Sequence, residues 1–342
     1  MSTKKLSGIF TPNMVPLDDR GRINEPELRR IVDWLIAKGI SGLYPNGSTG
    51  EFTRFSFEER KQIVRIVAEQ TAGRAYVLAG AAEANVGLTL EAASYYHSLG
   101  VDAVAIVAPF YYKLSQDGVY AYFAEIARES PIDLTLYNIP QYANPIGLDI
   151  IRRLAAEYPR IIGIKDSSRD LPYFLNLMHE VTPLRPDFVF MTGCEEMVLP
   201  SLMMGADGGT LATSGVVPEV VMKLYHLARA GRFDEARAIQ YKLLDLIKLL
   251  IFGADFPEAV RLAVGLRGFR MGVGRQPLSA NQKFSLEEVG RVIQCTLSEF
   301  GFVNEPPGGC ARTTGNASTN CDAAAIERIV TEVVQQLKSR GL

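Results

Sequence analysis

DLTLYNIPQYANPIGLDIIRRLAAEYPRIIGIKDSS, residues 133–168, holds two short apolar runs, DLTLYNIP (133–140) and IIGIKD (161–166), around a segment with a different rhythm. In that segment Leu148, Ile151, Leu154 and Ala155 fall on one face of a helix spanning Leu148–Glu157. A strand, an amphipathic helix and a second strand make a βαβ unit, whose strands are parallel. The runs are apolar throughout instead of alternating, as strands covered by helices should be.

Working outward, the same unit recurs. GIFTPNMV (8–15), GLYP (42–45), AYVLAG (75–80) and DAVAIVAP (102–109) precede it, and DFVFMTG (187–193) and GGTLAT (208–213) follow. Glu27–Lys38, Phe57–Gln70, Leu88–Leu99, Val119–Glu129 and Val216–Ala230 show helical spacing between or after them. Strands each followed by a helix, at intervals of roughly 25–30 residues, predict an α/β fold of the (β/α)8 TIM-barrel type over residues 1–230. A doubly wound sheet shares the alternation, but no glycine-rich dinucleotide fingerprint follows the first run. Phe233–Phe252, Phe256–Leu266 and Leu286–Phe300 predict additional C-terminal helices over 231–302, packed on the barrel or, alternatively, against a neighbouring subunit.

Beyond them the composition changes. VNEPPGGCARTTGNASTNC (303–321) has almost no large apolar residue, so 303–322 reads as a flexible linker. In the last segment, 323–342, Ile326, Ile329, Val330, Val333, Val334 and Leu337 line up as one apolar stripe, with Asp322 placed to cap it. So short a helix is marginal alone in water, and the stripe calls for a partner surface: its own barrel or another protein.

The balance of 36 basic and 38 acidic side chains in 342 residues offers no field for nucleic acid and no polybasic patch for a membrane. No apolar run approaches the roughly 20 residues of a spanning helix, and no signal-peptide core follows the N-terminus. Cys194, Cys295, Cys310 and Cys321 show no close pairing, which argues against a disulfide framework and fits a reducing cytosol. The three histidines are far apart, so no metal site is expected.

Barrel enzymes carry their chemistry at the carboxyl ends of the strands. Lys165 closes IIGIK, Tyr137 closes DLTLY, and Gly47-Ser48-Thr49-Gly50-Glu51 follows GLYP. Tyr137 and Lys165 stand one strand–helix repeat apart (165 − 137 = 28), at matching heights on strands five and six. Ser48 and Thr49 face them across the mouth. Desolvation of a lysine disfavours its ammonium form, and a neutral amine in a dry pocket forms a Schiff base with a carbonyl. The plainer alternatives are that Lys165 reaches out to the barrel rim or pairs with Asp166. Cys194 has no histidine near it in sequence and reads as a spectator.

YPNGSTGE (44–51), YNIP (137–140), GIKDSS (163–168) and GADGG (205–209), in this order, resemble the dihydrodipicolinate synthase and N-acetylneuraminate lyase family over roughly residues 7–300. The resemblance implies a class I aldolase or lyase that joins or splits pyruvate and an aldehyde, with no metal or organic cofactor. It makes Lys165 the Schiff-base lysine and Tyr137 the general acid/base. Ser48 and Thr49, with Gly47, would hold the pyruvate carboxylate, Thr49 also relaying protons. APFYY (108–112) matches the segment whose tyrosine enters a neighbouring subunit's site, which makes Tyr111 that residue, with Tyr112 as the alternative, and implies a homotetramer. Gly193, Glu195 and Glu196 resemble a segment that binds sugar hydroxyls, and Ser167 and Gly209 complete the substrate-binding set.

Departures bear on the substrate. Synthases of this kind carry an arginine two residues after the YNxP motif, where this chain has Gln141-Tyr142-Ala143-Asn144-Pro145. The serine that such sialic acid lyases carry after GADGG is Ala212 here. These differences suggest a hydroxylated or uncharged aldehyde, as for a 2-keto-3-deoxy sugar acid aldolase. The synthase and the lyase activities, an imine enzyme that dehydrates or decarboxylates a keto acid, and a non-catalytic barrel bound to a shell stay open as alternatives. The linker and stripe at 303–342 resemble the encapsulation peptides that carry cytoplasmic enzymes into bacterial microcompartments, with a shell protein as the partner of 323–342.

Overall fold

The structure is a computed structural model and describes residues 5–83, 85–252, 256–278, 285–303 and 310. Eight parallel strands close into a barrel in chain order, the first pairing with the eighth. They are β1 (Gly8–Thr11), β2 (Gly42–Leu43), β3 (Tyr76–Gly80), β4 (Ala103–Val107), β5 (Leu134–Asn138), β6 (Ile161–Asp166), β7 (Val189–Thr192) and β8 (Gly208–Thr210). The helices that return the chain are α1 (Glu25–Ala37), α2 (Phe57–Thr71), α3 (Val86–Ser98), α4 (Gln116–Glu129), α5 (Leu148–Glu157), α6 (Leu171–Val181), α7 (Val198–Met203) and α8 (Pro218–Arg229). Apart from β6, which coincides with its run, the strands are shorter than the apolar runs that announced them, and most of those runs continue into the loop at the barrel mouth.

Two apolar layers hold the barrel. Alternate strand residues such as Ile9, Leu43, Val104, Leu136 and Phe190 pack outward against Leu28, Ile63, Phe123 and Leu177 of the helices. Phe10, Leu78, Ala103, Ala105, Val189 and Met191 fill the interior. The unbroken apolar runs thus serve both faces of one sheet.

β6 departs from this alternation. Leu134 pairs with Ile161, but the next residue, Thr135, pairs with Gly163, so β6 carries a one-residue bulge. Ile161 and Ile164 both lie in the outer layer, while Ile162 packs on the interior cluster. Without the extra residue Ile161 and Lys165 would share a face.

The chain continues as α9 (Phe233–Ile247), a wider π-helical turn (Lys248–Phe252), α10 (Glu258–Gly265) and α11 (Leu286–Glu299). Arg261 of α10 is fully buried and ion-pairs with buried Glu51 of the loop after β2. Arg54 bridges Glu51 and Glu258 at 2.5 Å to each. α10 is therefore bound electrostatically to the loop that carries Ser48 and Thr49.

One expectation from the sequence is corrected. Cys295 and Cys310 form a disulfide, with Cα atoms 5.6 Å apart. Their 15-residue separation hides the approach, because α11 ends at Glu299 and Gly301, at φ +80°, starts a turn there. Cys194 is free and buried. The linker at 303–322, apart from Val303 and Cys310, and the helix at 323–342 lie outside the described residues. Among the described residues no helix is long and apolar enough to cross a membrane.

Candidate active site

Lys165 and Tyr137 are direct partners across the β5–β6 ladder. Lys165 is only 6% exposed, and its Nζ lies 4.1 Å from the centre of the Tyr137 ring and 5.0 Å from that of Tyr44. It makes no ion pair or hydrogen bond among the described residues. Asp166 is not its counter-ion. One residue further along the strand, Asp166 points to the other face, where its carboxylate accepts from Asn138 Nδ2 at 2.7 Å and Ser168 Oγ at 2.7 Å. Burial pushes the Asp166 carboxyl up, partly offset by those hydrogen bonds. The amine thus has two aromatic faces beside it and open space before it.

That space is a cavity of about 70 Å³ lined by Ser48, Thr49, Tyr137, Lys165, Ser167, Gly193, Glu195, Thr210 and Ala212, among others. An adjoining cavity of about 320 Å³ shares Ser48, Tyr137, Ile139, Tyr142 and Phe256 with it. The Ser48 and Tyr137 hydroxyls are 3.4 Å apart, so a proton can pass between the two sides of the mouth. Gly193 is required by space: a Cβ there would stand 2.0 Å from Ser167 Oγ and 2.7 Å from Lys165 Cε. Gly80 plays a similar part for the β2 loop, since a Cβ would meet the Asn46 carbonyl at 2.2 Å.

Glu195 is buried and accepts from the Thr213 N–H at 3.0 Å, and burial pushes its carboxyl up. Glu196 lies outside the cavity wall, its Oε1 accepting from Arg169 Nε at 2.9 Å and its Oε2 buried without a partner. Burial holds the Cys194 thiol at about 12, far from the thiolate form. Burial also pushes the Tyr44 phenol well up, leaving that ring a neutral wall.

Not every residue named from the sequence meets the cavity. Gly209 sits in β8, its Cβ direction closed by the Thr192 carbonyl and the Leu211 side chain at 3.2 Å. Gly47 packs near Tyr44 and shapes the loop without lining either cavity. Tyr111 is 91% exposed, at φ +77°, and lines neither cavity of its own chain. Conversely Arg169, Thr210, Ile251 and Phe256 line the two cavities and belong to no quoted motif, and Tyr44, which opens YPNGSTGE, lines one of them without having been named as a site residue. Ile251 and Phe256 come from the appended helical region, and nothing in their local sequence announces a site.

An amine kept from water and from counter-ions at the end of a barrel strand is suited to carbonyl chemistry, which places this chain among the (β/α)8 carbon–carbon lyases, as a class I aldolase. It belongs to the dihydrodipicolinate synthetase family, which it matches over residues 5–296. The chain is 34% identical over 264 residues to an uncharacterized DapA-like lyase of Pyrococcus horikoshii, covering 77% of this chain and 91% of that protein. It is 32% identical over 307 residues to the 4-hydroxy-tetrahydrodipicolinate synthase of Methanopyrus kandleri, covering 89% and 99%. Among solved structures it is similar to the dihydrodipicolinate synthase of Aquifex aeolicus, with a TM-score of 0.79, 26% identity and 89% and 100% of the two chains covered. It is also similar to the 2-keto 3-deoxygluconate aldolase of Picrophilus torridus, with a TM-score of 0.75, 27% identity and 81% and 99% covered.

Proposed function

We propose that Lys165 condenses with the 2-oxo group of pyruvate and that the resulting imine adds to an aldehyde, or releases one in the reverse direction. The amine adds to the carbonyl, and loss of water gives the imine. Removal of a methyl proton gives an enamine, whose carbon attacks the aldehyde. The new C–C bond forms as the aldehyde oxygen takes a proton from Tyr137, and hydrolysis then frees the product and Lys165. Ser48 and Thr49 hold the pyruvate carboxylate, Ser48 within reach of the Tyr137 hydroxyl. The observation that carries this reading is the position of Lys165: buried, facing the cavity, and without a carboxylate. Borohydride treatment with pyruvate tests it. One reduced pyruvyl adduct on Lys165, absent from Lys165→Ala together with all turnover, is the expected result; an unmodified Lys165 would overturn it.

Tyr111 supports an assembly of identical subunits, a tetramer on the family pattern. A bulky residue in the left-handed region costs of order 1 kcal/mol or more, and its ring finds no burial within its own chain. Insertion into a neighbour's site would use both features. Tyr111→Phe should then lower kcat without shifting the sedimentation coefficient of the assembly.

The stripe at 323–342 supports a location inside a bacterial microcompartment of a cytoplasm, with a shell protein as the partner. Removing residues 304–342 should leave turnover intact and abolish co-sedimentation with shells; loss of turnover would mean that the tail serves the folded body instead.

A further inference from the structure

Arg169 stands four residues beyond Lys165, in the turn between β6 and α6, at φ +62°. A side chain in that left-handed region is disfavoured relative to glycine. The turn itself does not need an arginine. Asp170 caps α6 by accepting from the Tyr173 N–H at 2.8 Å, and Ser168 Oγ accepts from the Asp170 N–H at 3.1 Å. What the arginine adds is its side chain, which lines the cavity of Lys165.

The guanidinium is held from two directions. Nε donates to Glu196 Oε1 at 2.9 Å, and Cζ sits 4.7 Å from the centre of the Phe252 ring. Neither contact uses the two terminal amino groups, Nη1 and Nη2, which have no partner among the described residues. A guanidinium has five N–H donors, and its terminal edge matches the two oxygens of a carboxylate or phosphate. Orientation by the first two contacts leaves that edge pre-set and unspent.

We infer that Arg169 selects the aldehyde: its Nη edge binds an anionic group, carboxylate or phosphate, carried at the end of the aldehyde remote from the carbonyl. The inference rests on the lyase reading above and narrows its substrate class. It departs from the uncharged partner suggested by the sequence, because such a partner leaves the guanidinium edge unused.

Two matched pairs of aldehydes test it, each offered with saturating pyruvate: succinic semialdehyde against butanal, and glyceraldehyde 3-phosphate against glyceraldehyde. The wild-type chain should show a higher kcat/KM for the anionic member of at least one pair, and the preferred pair identifies carboxylate or phosphate. In Arg169→Gly, which suits φ +62°, the anionic-over-neutral ratio should collapse by about 30-fold, mainly through KM, as expected for a lost charge-assisted hydrogen-bond pair. Arg169→Lys, which keeps the charge without the fork, should recover part of the ratio. Absence of preference in both pairs, or a preference that survives in Arg169→Gly, overturns the assignment while leaving a trapped pyruvyl adduct on Lys165 intact. Failure to trap pyruvate in the wild type overturns the lyase reading and this inference with it.

Discussion

Lys165 sits directly across the ladder from Tyr137 while Ile161, four residues earlier on the same strand, stays in the outer layer. Side chains four apart on a regular strand share a face, so one strand can meet both demands only by carrying an extra residue. The bulge at Ile162–Gly163 supplies it, and turns the amine inward where a regular β6 would bury it against the helices.

Gly163 makes the bulge possible. A Cβ there would stand 2.6 Å from the Val189 Cβ and 2.7 Å from the Val189 carbonyl oxygen, both on the neighbouring strand. Strand backbone cannot yield cheaply, so Gly163→Ala should destabilise the chain by about 1–3 kcal/mol, the usual range for overpacking. Because Lys165 is only two residues away, the rate of pyruvate trapping should fall as well. Urea midpoints and trapping rates check both; a variant equal to wild type in each would mean that the bulge does not set the lysine.

Tyr137→Phe separates the aromatic wall from the phenol. The ring beside Lys165 Nζ is kept, whereas the hydroxyl 3.4 Å from Ser48 Oγ is lost. Imine trapping should continue at a reduced rate, and C–C turnover should fall by about 100- to 1,000-fold, as for a missing acid/base group. Parallel assays of trapping and turnover decide it. Equal losses in the two would assign the phenol to imine formation alone.

The division between what the sequence disclosed and what it withheld follows from the same elements. Eight apolar runs and the spacing of Tyr137 and Lys165 made the barrel and the facing pair legible, since run length and repeat distance are one-dimensional quantities. The bulge was hidden because IIGIK is apolar on both faces, so a register slip leaves no polar residue out of place. Arg169 escaped notice because a positive φ is a property of the backbone, and nothing in SSRD spells it. Gly209 was named from its motif, yet its role is close packing of β8 against β7. Ile251 and Phe256 reach the cavities from more than eighty residues after Lys165, a proximity that only the folded chain creates.

Arg261 and Glu51 carry the attachment of α10 to the catalytic loop, both only about 1% exposed. Replacing Arg261 removes one of the two guanidinium groups on buried Glu51 and leaves only Arg54, at a cost of about 3 kcal/mol, the low end for breaking a buried pair. Arg261→Met should therefore unfold at markedly lower urea concentration and lose turnover, since Glu51 lies two residues from Thr49. Glu51→Gln combined with Arg261→Met removes both charges and should recover part of the stability. If the double variant were no better than the single one, the cost would lie in lost packing and not in an abandoned carboxylate.

Glu59 and Arg275 set an acid limit to stability. The carboxylate takes two hydrogen bonds from the Arg275 guanidinium, at 2.5 and 2.8 Å, and Arg275 also donates to the carbonyls of Gly21 and Arg54. The guanidinium, assisted by the Ser56 N–H, holds the Glu59 carboxyl down at about 2, from an ordinary value of 4.5. A carboxyl with a depressed folded-state value binds its proton more readily in the unfolded chain. Its stabilisation is complete above about 4.5 and is lost as the pH falls toward about 2. Both side chains keep some contact with solvent, at 29% and 26% exposure, so screening limits the effect to about 1 kcal/mol. Glu59→Gln should thus be less stable than wild type by that amount at pH 7, and the gap should narrow steadily below pH 4.5. Urea midpoints of the two chains at pH 7, 4 and 3 measure it. A gap that stayed constant would trace the loss to the capping box of Ser56 and Glu59 at the start of α2, because that contact can survive the change of charge while the ion pair cannot.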